Sequence, residues 1–179
     1  MEGSLWAWQR TLERGRGGRP GVCKPDESGE GVTLSEELTQ INSIFIDTAP
    51  IIYYIEAHLQ FGPLVKEVVN AFQSRNLVAY SFVITLAEVL SKPIERGDEK
   101  LARKFAEFLK HGRNLTMIDI SEATAENAGK LRGHYPFLKT IDAIQLAAAL
   151  DVGAEAFLTN DVKLQQFNGL RVLVLKDYL

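Results

Sequence analysis

One stretch constrains this chain more than any other: Ser43–Ile55, SIFIDTAPIIYYI. Ile44-Phe45-Ile46 is short, apolar and partly β-branched, the pattern of a buried strand. It runs into Asp47, and Thr48, Ala49 and Pro50 then open a helical pattern. Asp or Thr is a good helix N-cap, and Pro is tolerated in the first turn because the N–H it lacks had no partner there anyway. The junction therefore delivers a carboxylate to the carboxyl end of a strand, where open α/β sheets place their ligand crevice. Asp47 is also the only charged residue between Glu37 and Glu56.

Taken alone, an Asp at such a junction reads as a cap. The same setting recurs, however. Glu88, in SFVITLAEVL, is the only charge between Arg75 and Lys92. Asp142, in TIDAIQLAAAL, is the only charge between Lys139 and Asp151, and Asp161, after AFLTN, the only one between Glu155 and Lys163. Four acids isolated in apolar surroundings are the sequence pattern of a shared carboxylate cluster. Burying one unpaired carboxylate is costly, and burying several together is worse because each raises the pKa of the others. A hard divalent cation, Mg²⁺ or Mn²⁺, resolves the conflict: it takes oxygen ligands, keeps several waters and is usually held by one or two carboxylates. The remaining acids then hold its waters or act as general base. Such a site suits phosphodiester hydrolysis. Asp47, Asp142 and Asp161 stand at or near expected helix starts, where the helix dipole favours negative charge.

The rest of the chain supplies an α/β frame for these acids. Beyond the first strand, helices are expected over about 49–59 and 62–74, split by Gly62-Pro63. A strand at Leu77–Tyr80 precedes a helix over Phe82–Ser91 stopped by Pro93, and an amphipathic helix spans Asp98–Lys110. Then come a strand at Leu115–Ile120, a helix from Ser121 to about Gly133, and an apolar helix over Thr140–Val152 closed by Gly153. Strands at Ala156–Thr159 and Arg171–Leu175 end the pattern, with a short helix from about Asp161 between them. Strands alternating with helices imply three layers, α/β/α, around a short parallel central sheet.

Residues 1–40 differ: seven of the 14 glycines fall here, with Pro20 and Pro25 and hardly any aliphatic periodicity. This composition predicts a disordered or weakly helical flexible N-terminal extension, with a helical turn or two over Thr33–Gln40, ahead of a domain over 41–179. An alternative places the natural start near Ile41. The GRGGRPG run at Gly15–Gly21 lacks the preceding strand and following helix of a phosphate loop. Cys23, the single cysteine, leaves no disulfide framework and fits a reducing cytoplasm. No segment is long and apolar enough for a membrane span. A net charge of −3 argues against coating nucleic acid by overall charge, yet over 92–113 seven basic residues face four acids.

The pieces IDTAPIIYYIE, ITLAEVL, LKTIDAIQLAAAL and FLTND followed by KLQQF, in this order, resemble the PIN-domain nucleases, and within them the VapC-type toxins. The resemblance covers about 43–179. It implies a PIN-like fold and a Mg²⁺- or Mn²⁺-dependent endoribonuclease acting on an RNA substrate, often a homodimer and often neutralised by a small antitoxin. Carried over residue by residue, Asp47, Glu88, Asp142 and Asp161 become the acidic quartet that binds metal. Thr159 matches the family's small hydroxyl residue two positions before the last acid. Lys139 stands where the family often has Arg. The competing reading is a non-catalytic binding module of the same fold, its acidic crevice taking a basic peptide. His58, His111 and His134 have no ligand spacing, Tyr53 and Tyr54 read as core or interface, and Glu56 as an exposed residue.

Overall fold

The computed structural model describes residues 32–74 and 77–179. The GRGGRPG run, Cys23 and most of the expected extension lie outside them.

A helix over Leu34–Thr39 (α1) leads into β1, Ser43–Ile46, then α2, Thr48–Ile55, and α3, Phe61–Ser74. β2, Val78–Phe82, runs directly into α4, Val83–Glu95, which turns back as α5, Glu99–His111. β3, Leu115–Ile118, is followed by α6, Glu122–His134, and α7, Thr140–Asp151. β4, Ala156–Thr159, a short 3₁₀ helix at Val162–Gln166 and β5, Arg171–Val174, precede a last 3₁₀ turn at Leu175–Tyr178. The five strands form one sheet in the order β3-β2-β1-β4-β5, every neighbouring pair parallel. The expected α/β/α layering holds.

Strand alternation builds the two cores. Ile44 and Ile46 point into one, with Val65, Val68, Phe72, Phe105 and Leu109 from α3 and α5. Phe45, between them, points into the other, with Leu131 of α6 and Leu146 of α7. Side chains two apart share a face of a pleated strand, so four residues suffice to serve both layers. Phe45 stacks on Phe157 of β4 with centroids 5.6 Å apart. The run Ala147-Ala148-Ala149 is fully buried, and these small side chains let α7 lie close against α6 and the sheet.

Three boundaries differ from expectation. The segment 33–40 belongs to the packed body rather than to an extension. Thr33 and Glu36 form a capping box, and Leu34 and Leu38, four apart on one face, are buried in the α3 side of the core. Gly62-Pro63 does not separate two helices but lies in the first turn of α3, where Pro is tolerated. Pro93 does not end α4, which continues to Glu95. Pro in a last turn forfeits one hydrogen bond, and here its ring is buried. Gly153 closes α7 as expected, with φ at +68°.

Candidate active site

Sheet order decides where a ligand can sit. From β1 the chain moves outward through β2 and β3, then crosses back to lay β4 on the other side of β1. The carboxyl ends of β1 and β4 therefore flank the topological switch point, the crevice of open α/β sheets. Asp47 follows β1, and Asp161 lies two residues beyond Thr159, which ends β4. Glu88 is carried by α4 and Asp142 by the first turn of α7. Asp47, Glu88 and Asp142 line one open cleft of about 540 Å³, together with Thr48, Lys139 and Gln145. Lys139 is the one cation on its wall among the described residues.

Two threonines string three of the acids together. The Thr159 hydroxyl, fully buried, donates to Asp47 Oδ2 at 2.7 Å and accepts the Asp161 backbone N–H at 3.1 Å. Thr48 gives its backbone N–H to Asp47 Oδ1 at 2.6 Å, the N-cap bond of α2, and its hydroxyl to Glu88 Oε2 at 2.5 Å. Thr85, one turn before Glu88 and fully buried, lies 3.0 Å from the Thr48 hydroxyl. Because the Thr48 proton goes to Glu88, Thr85 is the donor of that pair. Asp161 also caps the 3₁₀ helix through the Lys163 N–H at 2.9 Å.

The electrostatics are those of carboxyls taken out of water, with like charges nearby as a smaller effect. Burial pushes the Asp47 carboxyl above the ordinary carboxylate range; hydrogen bonds from Thr159, Thr48 and Gln145 pull it back incompletely, and the Asp142 charge raises it further. Asp142 is raised first by desolvation, then by the charges of Asp161 and Glu88. Lys139 opposes this, through its ammonium and through a backbone hydrogen bond to the Asp142 carboxylate. Asp142 is thus coupled to each of the other three acids, while Asp161, whose backbone N–H bonds to the Thr159 hydroxyl, is not among the residues lining the cleft. Among the described residues no three ligating side chains converge tightly enough to enclose an ion. The carboxylates line a cleft instead of closing a cage. An all-oxygen donor set of this openness fits a hard cation that keeps much of its water shell.

The sequence singled out the acids and Thr159 but missed Thr48, Thr85 and Gln145. Their signals were present: a hydroxyl beside Asp47, a hydroxyl one turn before Glu88, and a lone amide one turn after Asp142 in a helix of Ala and Leu. Gln145 is buried at 2% exposure, which a polar side chain tolerates only with partners. Elsewhere, Glu56 is exposed. Tyr53 stacks on Phe61, Tyr54 packs on Phe108, and the His58 ring accepts the N–H groups of Gln60 and Phe61 at the start of α3.

Compared with solved structures, the chain is similar to VapBC2 from Rickettsia felis bound to a promoter DNA fragment (17% identity, TM-score 0.58, 74% of this chain and 98% of that one). It is similar also to a toxin–antitoxin complex from Klebsiella pneumoniae (24%, 0.56, 74% and 97%). A third likeness is to Mycobacterium tuberculosis VapC20, described as a Sarcin-Ricin loop cleaving toxin (17%, 0.56, 72% and 98%). At these identities the likeness is one of fold. A comparison with curated proteins by sequence gave no match. The PIN domain family model, by contrast, matches residues 44–170, from β1 to the residue before β5, and so takes in Asp47, Glu88, Asp142 and Asp161. The chain belongs to the PIN domain family.

Proposed function

We propose that this chain is a Mg²⁺- or Mn²⁺-dependent endoribonuclease that hydrolyses phosphodiester bonds in RNA, and the toxin of a toxin–antitoxin pair. One observation carries the reading: Asp47 and Asp142 line one cleft with Glu88, both are pushed above the ordinary carboxylate range by burial and then by neighbouring acids, and Lys139 is the one cation on the cleft wall among the described residues. A protein tolerates that cost where a cation repays it.

Asp47 and Asp142 hold the ion most directly in this scheme, and Glu88 and Asp161 hold its waters. When bound, the ion would polarise a phosphate oxygen, ease deprotonation of the attacking water and stabilise the leaving oxygen. The chain's own groups do the rest. Thr159 keeps the Asp47 carboxylate turned to the cleft, and one of the four acids takes the proton of the attacking water. Lys139 meets the phosphate as a point charge rather than as a bidentate fork. The exposed cations Arg96, Lys100, Arg103, Lys104, Lys110 and Arg113, which make no ion pair among the described residues, form a surface suited to an RNA backbone. Antitoxin pairing is part of the proposal, supported by the toxin–antitoxin assemblies among the fold's neighbours, and a homodimer is proposed with it.

Asp47→Asn is the direct test. It is expected to abolish Mg²⁺-dependent cleavage of RNA with an unchanged circular dichroism spectrum. Full cleavage by that variant removes the proposal.

A further inference from the structure

Glu88 presents a problem of order. It is an exposed residue on α4, and a long flexible carboxylate in that position favours water over a crowded anionic cleft. Yet its side chain lines the cleft. What turns it inward is visible. The Thr48 hydroxyl donates to Glu88 Oε2 at 2.5 Å, and the Thr85 hydroxyl, 3.0 Å from that of Thr48, uses the acceptor side of the same oxygen. Thr85 is fully buried and sits on the same helix as Glu88, so the relay is anchored at both ends by α4 and in the middle by the first residue of α2. With its proton committed and its lone pair engaged, the Thr48 hydroxyl has one orientation. Its backbone N–H simultaneously holds Asp47. One residue thus sets the spacing between two carboxylates from different elements.

We propose that Thr48, oriented by Thr85, is a positioning residue that holds Glu88 at the cleft beside Asp47, as Thr159 holds Asp47 beside Asp161. This rests on the metal-dependent reading above. Groups that orient the carboxylates of a metal site rather than touching the ion typically change affinity by about 10- to 100-fold when removed.

The test uses the full chain and two readouts. Without metal, a double-mutant cycle between Thr48→Val and Glu88→Ala reads the bond itself through urea midpoints, and the two changes should be non-additive. With Mn²⁺ alone as probe, calorimetric titration should show binding weakened about tenfold in Thr48→Val. Thr48→Ser should stay within about twofold of the parent, and Thr85→Val should weaken binding in a way that Thr85→Ser restores. Circular dichroism checks that each variant folds. Additive effects in the cycle, or parental Mn²⁺ affinity in Thr48→Val, overturn the positioning role. So does equal weakening in Thr48→Ser, which would make bulk and not the hydroxyl decisive. A parent that gives no Mn²⁺ heat while the cycle remains coupled instead overturns the metal-dependent reading, and with it the ion-holding purpose of the relay.

Discussion

Replacing Thr159 by Val keeps the shape of the side chain and removes its hydroxyl, which isolates one bond of the cleft. That hydroxyl donates to Asp47 Oδ2 at 2.7 Å, accepts the Asp161 N–H at 3.1 Å, and is closed to water. A hydrogen bond to a charged group contributes about 1.5–3 kcal/mol, and an orphaned donor adds to the loss, so Thr159→Val should destabilise the metal-free protein by about 2–3 kcal/mol at pH 7.5. At a urea m-value of about 2 kcal/mol/M this moves the unfolding midpoint down by roughly 1 M. The pH dependence is the sharper part. Asp47 is already raised by burial, and losing Thr159 raises it further. A carboxyl raised in the native state gives its stability in full below its unfolded-state value and loses it as pH climbs through the native one. Stability of the variant must therefore fall more steeply from pH 4 to pH 7.5 than that of the parent, and the gap between them must narrow toward acid. Its pH-dependent part measures the extra rise at about 1.4 kcal/mol per pH unit. Thr159→Ser, which keeps the donor, should stay much closer to the parent. A gap of the same size at every pH would refute the reasoning, because the bond would then not be made to an ionised carboxylate.

Other outcomes follow from the same geometry. Asp47→Asn removes a raised carboxyl, so its stability relative to the metal-free parent should improve between pH 4 and pH 7.5; urea unfolding at both values checks the sign. Phe157→Ala empties the stack on Phe45 at the sheet centre and should cost about 3–5 kcal/mol in the same assay. Thr33→Ala breaks the capping box of α1 and should cost about 1 kcal/mol; no loss would mean that α1 contributes nothing to the fold. Gly153→Ala forces a β-carbon onto a backbone at φ +68° with open space around it, so the cost should be the conformational term alone, about 1–2 kcal/mol by thermal or urea unfolding.

The acids were legible because charge is rare in apolar stretches, so each carboxylate marked itself. The strand–helix alternation was legible for the reason that Ile44, Phe45 and Ile46 are buried on both faces of a parallel sheet, which leaves an unbroken apolar run. Helix ends were less so. Pro93 and the Gly62-Pro63 pair are breakers by local rule, but tertiary packing outweighed the one hydrogen bond that Pro93 forfeits and set the first turn of α3 over the pair. The threonines were missed because a hydroxyl carries no distinctive pattern. Thr48 and Thr85 are ordinary helix residues until α2 and α4 are brought side by side, and that adjacency is a property of the sheet order, not of any window of sequence.

That order has a bearing on when the crevice comes into being. The halves of the crevice come from the first strand laid down and the fourth, with the outer two strands on one flank made in between. During synthesis, Asp47 and Glu88 emerge long before Thr159 and Asp161 exist to complete their surroundings. The crevice is therefore assembled only once β4 has been made and laid beside β1, so its completion waits on the joining of the two flanks of the sheet.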